Sequence, residues 1–405
     1  MPNGISFNTG FKDGTQADTD LGSCLIEKDY LISVYPQLID NIKASSLFSW
    51  GCNSLGTLGD NSTINKSSPV QTVSSGTNWK QVSGGDEHTA AIKTDGTLWL
   101  WGDGCAGRLG DNSAINKSSP VQTVSSGTNW KQVDAGCLHT AAIKTDGTLW
   151  LWGCNYLGIL GDNSTINRSS PVQTVSSGNN WKQVDAGGTH TAAIKTDGTL
   201  WLWGQGSFVG RLGDNSTINK SSPVQTVSSG TNWKQVSAGS AHTAAIKTDG
   251  TLWLWGWEDE GRLGDNSTAS RSSPVQTVSS GANWKQVSAG GNKTAAIKTD
   301  GTLWLWGHGV SGQLGNNSTA SRSSPVQTVS SGANWKQVDS TCGHTAAIKT
   351  DGTLWSWGSA CRGQLGNNST PNRSSPVQTV SSGTNWKQVI AGLSHTAAIR
   401  EEGDF

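Results

Sequence analysis

The stretch Thr140-Ala-Ala-Ile-Lys-Thr-Asp-Gly-Thr-Leu-Trp-Leu-Trp-Gly153 decides how this chain folds. It holds two β-prone runs, residues 140–144 and 148–152, joined by Asp146-Gly147. That dipeptide favours a tight hairpin because it tolerates positive φ. The second run alternates Leu and Trp, so both faces are apolar and both need cover. Upstream, Trp130-Lys-Gln-Val133 and Pro120-Val-Gln-Thr-Val124 supply two more runs, ended by Ala135-Gly136 and Ser125-Ser126-Gly127. The expectation is a unit of four short antiparallel strands, packed between neighbours of its own kind.

Such neighbours exist. Trp-Gly pairs fall at Trp50, Trp101, Trp152, Trp203, Trp255, Trp306 and Trp357, 51 residues apart except for one step of 52 where Phe208-Val209 adds a residue. Strand-rich repeats of this length point to radial repetition, here a seven-bladed β-propeller of four-stranded antiparallel blades in an all-β fold. The last unit stops near Ala397-Ala-Ile-Arg400 without its Leu-Trp strand, and Leu47-Phe-Ser-Trp-Gly51 supplies that strand ahead of the first full unit. An N-terminal strand completing the last blade closes the ring and removes open edges. The expected divisions are an attachment segment with one short helix (1–43), the propeller (44–400) and a tail (401–405).

Lys+Arg and Asp+Glu both number 29, so no basic field exists to hold nucleic acid or an anionic membrane. No apolar run approaches the roughly 20 residues of a membrane span, so no membrane insertion is expected. The N-terminus lacks a basic stretch followed by an apolar one, so no secretory signal is expected. The cysteines do not recur with the repeat, which excludes a disulfide framework. Free thiols are the expected state; Cys137 with Cys154, or Cys342 with Cys361, are the pairs that could meet across one loop pair.

The motif Gly-x-x-His-Thr-Ala-Ala-Ile-Lys-Thr-Asp-Gly-Thr-Leu-Trp-x-Trp-Gly fills residues 136–153 and is followed by Gly158-Ile-Leu-Gly161. It resembles the repeat of the regulator of chromosome condensation family. The resemblance covers about residues 44–400 and recurs seven times. It implies a seven-bladed propeller closed by strand borrowing. The scaffold serves many functions in that family, so it implies no single activity. The founding member's nucleotide exchange depends on loop residues with no counterpart that can be placed here, and that activity is not carried over.

The repeats differ mainly at one rim. Following the strands through a blade puts the loops after Trp-Gly, and those before His-Thr, on one face. The first set carries Asn53 and Leu55, Asp103, Asn155 and Tyr156, Gln205 and Phe208, Trp257-Glu258-Asp259-Glu260, His308, and Arg362. The second carries Asp86-Glu87, Leu138, and Asn292-Lys293. The opposite turns, Ser-Ser-Gly and Thr-Asp-Gly, hardly change. Units five and six share Thr268-Ala-Ser-Arg271 and Thr319-Ala-Ser-Arg322 yet differ at the rim, which reads as diversification for binding rather than drift of free loops. All these rim residues are candidate ligand contacts. Tyr156, Phe208 and Trp257 are the expected anchors, because aromatics supply large rigid area.

Histidine precedes the Thr-Ala-Ala strand in six units: His88, His139, His190, His242, His344 and His395, with Lys293 in the remaining one. No carboxylate or thiol recurs beside them at a ligand spacing, so a structural role is favoured over a metal. The recurring Asp-Asn-Ser reads as an Asx turn rather than a calcium loop. No nucleophile, base and orienter converge, so neither an enzyme nor a cofactor is expected.

Residues 1–43 do not repeat; Leu25, Tyr30, Leu31 and Val34 fall near one face of a short helix ended by Pro36. This segment resembles the N-terminal lead of marine phage structural proteins that carry such propellers. The leading expectation is therefore a phage tail or virion receptor-binding protein. Its rim would recognise host-surface glycan or protein, and residues 1–43 would attach it to a larger assembly. The alternative is an intracellular regulatory protein-interaction propeller, cytoplasmic and resembling guanine-nucleotide exchange regulators.

Overall fold

In blade 2 the Asp-Gly hairpin forms as its chemistry requires. The Asp146 carboxylate accepts the backbone N–H and the hydroxyl of Thr148 (2.9 and 2.7 Å), and the Thr148 hydroxyl accepts Trp150 Nε1–H at 2.9 Å. Gly147 has φ +82°, and a Cβ there would lie 2.0 Å from the Asn179 carbonyl of the following blade. The computed structural model describes residues 44–402 apart from 74–75, 126, 176–177, 229, 279–280, 330–331 and 382. The expected attachment segment, its helix and residues 403–405 lie outside the described residues.

Blade 2 runs Trp130–Ala135, His139–Lys144, Leu149–Gly153, Arg168–Gln173 from the inner strand outward. The same order holds in blade 1 (79–122), blade 3 (181–225), blade 4 (233–276), blade 5 (284–327) and blade 6 (335–378). Proline falls in the outermost strand, where its missing N–H is tolerated. The Pro-Val-Gln run thus belongs with the Leu-Trp strand before it, since Val172 pairs with Leu151. The seventh blade therefore takes two strands from each end, not one and three: Ser45–Gly51 and Lys66–Gln71 beside His395–Glu401 and Trp386–Ala391. The seam pairs Ser45 with Glu401 through to Gly51 with His395 without a break.

The cores lie between blades, which is why the Leu-Trp strand is apolar on both faces. Ile92, Leu98 and Leu100 of blade 1 pack with Trp130, Val133 and Trp152 of blade 2, all buried. Two polar devices repeat at each junction. The Arg108 carbonyl of blade 1 accepts both Trp152 Nε1–H and the Thr140 hydroxyl of blade 2, each at 2.9 Å. Thr140 has then spent its proton, so His88 Nε2 donates to it at 2.9 Å. Gly110 lies against the same indole, and a Cβ there would sit 2.7 Å from Trp152 Nε1.

The second device is a clasp. The Gln132 side-chain amide donates to Val184 O (2.8 Å) and accepts from Val184 N–H (3.2 Å), extending the sheet by one side chain. Gln388 does the same to Val82 across the seam, at 2.9 and 3.0 Å. Gln132→Ala removes both bonds and leaves a part-buried amide and carbonyl unpaired. We expect a loss of about 1–3 kcal/mol, read from urea unfolding of the two proteins side by side.

Candidate interaction face

Each blade ties its two variable loops together by a backbone hydrogen bond. Cys154 N–H donates to Leu138 O (3.0 Å), Gln205 to Thr189 (2.8 Å), Trp257 to Ala241 (2.9 Å) and His308 to Asn292 (2.9 Å). The antiparallel order puts every such pair on one face. The opposite Thr-Asp-Gly turns are constrained for structural reasons, as Asp146 and Gly147 show. Their constancy reflects fixed geometry and is not a neutral standard against which rim divergence can be measured.

The structure sorts the expected contact residues. Tyr156, Phe208 and Trp257 are 54%, 88% and 43% exposed and occupy three consecutive blades, 2 to 4. Glu87, Asp259, Glu260 and Arg362 are also exposed; Leu55, Asp86, Leu138, Gln205, Asn292 and His308 are half-buried. Asn53, Asn155, Asp103, Glu258 and Lys293 are buried, and this corrects their assignment as rim contacts. Asn53 and Asn155 hold their own loops, accepting Leu58 and Leu160 N–H at 2.9 Å and donating to Asp60 and Asp162 at 2.9 Å. Glu258 takes that place in blade 4, accepting Leu263 N–H at 2.8 Å, and burial raises its pKa. Asp103 pairs with Arg108 at 3.3 Å.

The loop of residues 257–260 is tied down by its charges. Asp259 pairs with Arg262 at 3.5 Å, and Arg262 lies 4.8 Å from the centre of the Trp257 ring. Glu260 bonds to His308 of blade 5 and accepts the Ser321 hydroxyl at 3.0 Å. Val310, 58% exposed, extends the apolar arc into blade 5, and Ile64, Ile115, Ile166 and Ile218 are 62–66% exposed in the Asp-Asn-Ser loops. Isoleucine amid Asn-Ser-Thr was the available signal. The described cysteines (Cys52, Cys105, Cys137, Cys154, Cys342, Cys361) are free thiols.

The central channel has a cavity of about 220 Å³ lined by the inner strands. Its polar ring comes from the residue after Trp-Lys-Gln-Val: Ser83, Asp134, Asp185, Ser237, Ser288, Asp339 and Ile390. The side chain of one blade accepts a backbone N–H of the next. Ser83 takes Ala135 N–H (3.0 Å), Asp134 takes Ala186 (2.6 Å), Asp185 takes Ala238 (2.7 Å) and Asp339 takes Ala391 (2.8 Å). Ile390 cannot accept, and packs against Gly84, where a Cβ would lie 2.3 Å from its Cδ1. Sequence reasoning missed this ring; its signal was one variable position inside an otherwise constant run. Enclosure pushes Asp134 up to about 7 and raises Asp185 and Asp339.

Each of the six histidines donates Nε2–H to a threonine of the next blade, His395 closing onto Thr89 at 3.0 Å. Burial lowers all six, His139 and His344 to about 3 and His395 to about 4. Lys293 caps the carbonyls of Thr341 and His344, and burial lowers it to about 7. Among the described residues no group of three or more His, Cys, Asp or Glu is arranged to hold a metal. The Asp162 carboxylate is spent on Ser164 N–H and hydroxyl (3.1 and 2.7 Å) and on Arg168 (2.8 Å), as an Asx turn requires.

A closed seven-bladed ring, with an indole and threonine node at its junctions that histidine completes at six of the seven, and with a chemically varied upper face, is the architecture of a repeat-built β-propeller. The chain belongs to the RCC1-like family: the RCC1-like domain model matches residues 121–405, and the regulator of chromosome condensation (RCC1) repeat matches 45–92 and 95–143. It is 32% identical over 336 residues to the ultraviolet-B receptor UVR8 of Arabidopsis thaliana, covering 81% of this chain and 76% of that protein. It is 27% identical to the human E3 ubiquitin-protein ligase HERC2 over 88% of this chain, but spans only 8% of HERC2. Among solved structures, Prp20p of Saccharomyces cerevisiae superposes with TM-score 0.79 at 19% identity, over 91% of this chain and 95% of that one. Human WBSCR16 gives 0.77 at 19%, over 89% and 99%; both likenesses concern the fold.

These relatives overturn the expectation of a phage or virion host-adhesion protein. They are eukaryotic proteins, among them a light receptor and a mitochondrial RCC1 domain-containing protein. The expected host-surface glycan and the virion location fall with it. No helix among the described residues is long and apolar enough to cross a membrane.

The titrating groups oppose one another. The histidines' ordinary value is 6.5 and their folded values are lower, so their contribution is present above 6.5 and lost as pH falls. The channel aspartates, raised from 3.8, contribute fully below 3.8 and lose that contribution as pH rises toward about 7. Between about pH 4 and 6.5 six histidines outweigh three aspartates, so stability should fall on acidification. Asp134→Asn should steepen that fall and His139→Gln should flatten it, both measured as denaturation midpoints across the pH range.

Proposed function

We propose that this chain is a regulatory protein-interaction propeller that captures a protein partner on its varied face and acts by binding rather than catalysis. The observation that carries this reading is the arc of exposed aromatics on consecutive blades, Tyr156, Phe208 and Trp257. Large aromatics beside buried polar frames are the usual anchors of protein interfaces. The relatives support it: UVR8 is a receptor, and solved structures of Prp20 include one bound to Kap60 and one concerned with binding to Gsp1p and histones. Nucleotide exchange is not part of the proposal, because no observation on the varied face carries it.

Cross-linking with mass spectrometry on the purified protein and its captured partner tests the face. Cross-links should fall on the loops around residues 154–157, 205–210 and 257–260. Tyr156→Ala, Phe208→Ala and Trp257→Ala together should release the partner at least about tenfold more readily, with the melting temperature unchanged. Cross-links confined to the Thr-Asp-Gly turns, with the triple variant still binding, would overturn the reading.

A further inference from the structure

Three arginines occupy one equivalent position under the varied face, in the Gly-Arg-Leu-Gly turns of blades 1, 3 and 4: Arg108, Arg211 and Arg262. Each sends Nη1 to a carbonyl at the channel mouth of the next blade, Cys137 (3.0 Å), Ser240 (3.4 Å) and Gly291 (3.2 Å) respectively. All three are buried, at 5%, 7% and 1% exposure. Two are neutralised from their own loop, Arg108 by Asp103 at 3.3 Å and Arg262 by Asp259 at 3.5 Å. Arg211 has no carboxylate partner among the described residues. Gln205 stands where blade 1 has Asp103, and Ser207 stands where blade 4 has Asp259.

Within the same frame, then, blade 3 lacks the counter-ion its neighbours carry. Among the described residues, Arg211 Nη1 reaches the neutral Thr189 hydroxyl (2.5 Å) and Ser240 O, and its buried Nε has no partner there. Thr189 in turn donates to Gln205 Oε1 at 2.7 Å. A buried guanidinium without an anion is expensive to keep. Burial lowers its pKa to about 10, with the Tyr156 phenol as the opposing influence.

The loop above it is also altered. This is the blade with the extra residue, Phe208-Val209. In five other blades the turn closes over three residues, as Gly158 N–H to Asn155 O (2.9 Å), whereas here Gly210 N–H reaches back four, to Gly206 O (3.2 Å). Phe208 is driven to φ +72°, a costly backbone for an aromatic, and stands 88% exposed. Tyr156 of blade 2 lies near enough for its phenol and the Arg211 guanidinium to influence one another.

We propose that Arg211 is the charged floor of a subsite that takes an acidic side chain, Asp or Glu, from a protein partner, with Tyr156 and Phe208 packing on the apolar residues beside it. The partner supplies the carboxylate that Asp103 and Asp259 supply within the chain. This rests on the varied face being the contact surface, and it names the chemistry that one part of that face selects.

The test is selection of random decapeptides displayed on yeast against the purified full chain, followed by titration of one enriched peptide. Enriched sequences should carry Asp or Glu next to an aliphatic or aromatic residue. Arg211→Gln should weaken the peptide roughly 30-fold or more. Replacing the peptide's Glu by Gln should cost the same on the parent protein and almost nothing further on the variant. A ligand-free control separates folding from binding: Arg211→Met should hold or raise the melting temperature, whereas Arg262→Met lowers it. Peptides that depend on Tyr156 and Phe208 but show no carboxylate preference overturn the Arg211 subsite and leave the contact face standing. No enrichment, or binding indifferent to both aromatics, overturns the subsite and the contact face together.

Discussion

The ring depends on one shared acceptor per junction. A single carbonyl, such as that of Arg108, receives the indole N–H of Trp152 and the hydroxyl of Thr140, and that hydroxyl receives the imidazole N–H of His88. All four groups are buried, so each must find a partner inside the protein. The node fixes Trp depth, Thr rotamer and His tautomer at once. It also explains why Gly follows Leu in the turn, since the indole occupies the space a Cβ would need. Lys293 breaks the pattern in blade 5 and satisfies carbonyls of blade 6 instead.

Because the nodes and glutamine clasps hold the blades, the loops above them are free to differ. That freedom is unequal. Asn53 and Asn155 spend their amides on their own loops, while the rings of Tyr156, Phe208 and Trp257 stay largely exposed. A residue that the fold does not need, held on a rigid support, is available for a partner. The opposite turns have no such freedom, because their Asp, Thr and Gly are each committed to a specific contact.

Membership of the RCC1-like family corrected the functional expectation without altering the structural one. Divergent loops on near-identical blades fit recognition of many kinds, and nothing in loop variety distinguishes a virion protein from a cellular one. The relatives are eukaryotic proteins, and none of them supports the virion reading. What the loops do convey is the sign of the missing chemistry: Arg211 has the environment of Arg108 and Arg262 without their carboxylate.

The repeat period, the Leu-Trp alternation and the Asp-Gly turns determined blade number, the four-stranded blade and the use of both termini to close the ring, because each is a local constraint written in adjacent residues. Tertiary structure decided what local reading could not. It moved the Pro-Val-Gln run into the preceding blade, since strand pairing joins residues such as Leu151 and Val172 across a long loop. It buried Asn53, Asn155, Asp103, Glu258 and Lys293, which look like surface polar residues until their partners are in place. It also formed the channel ring of Ser83, Asp134, Asp185 and Asp339 from positions about fifty residues apart or more. Burial and charge pairing are properties of neighbours in space, and in a ring most of those neighbours lie one whole repeat away.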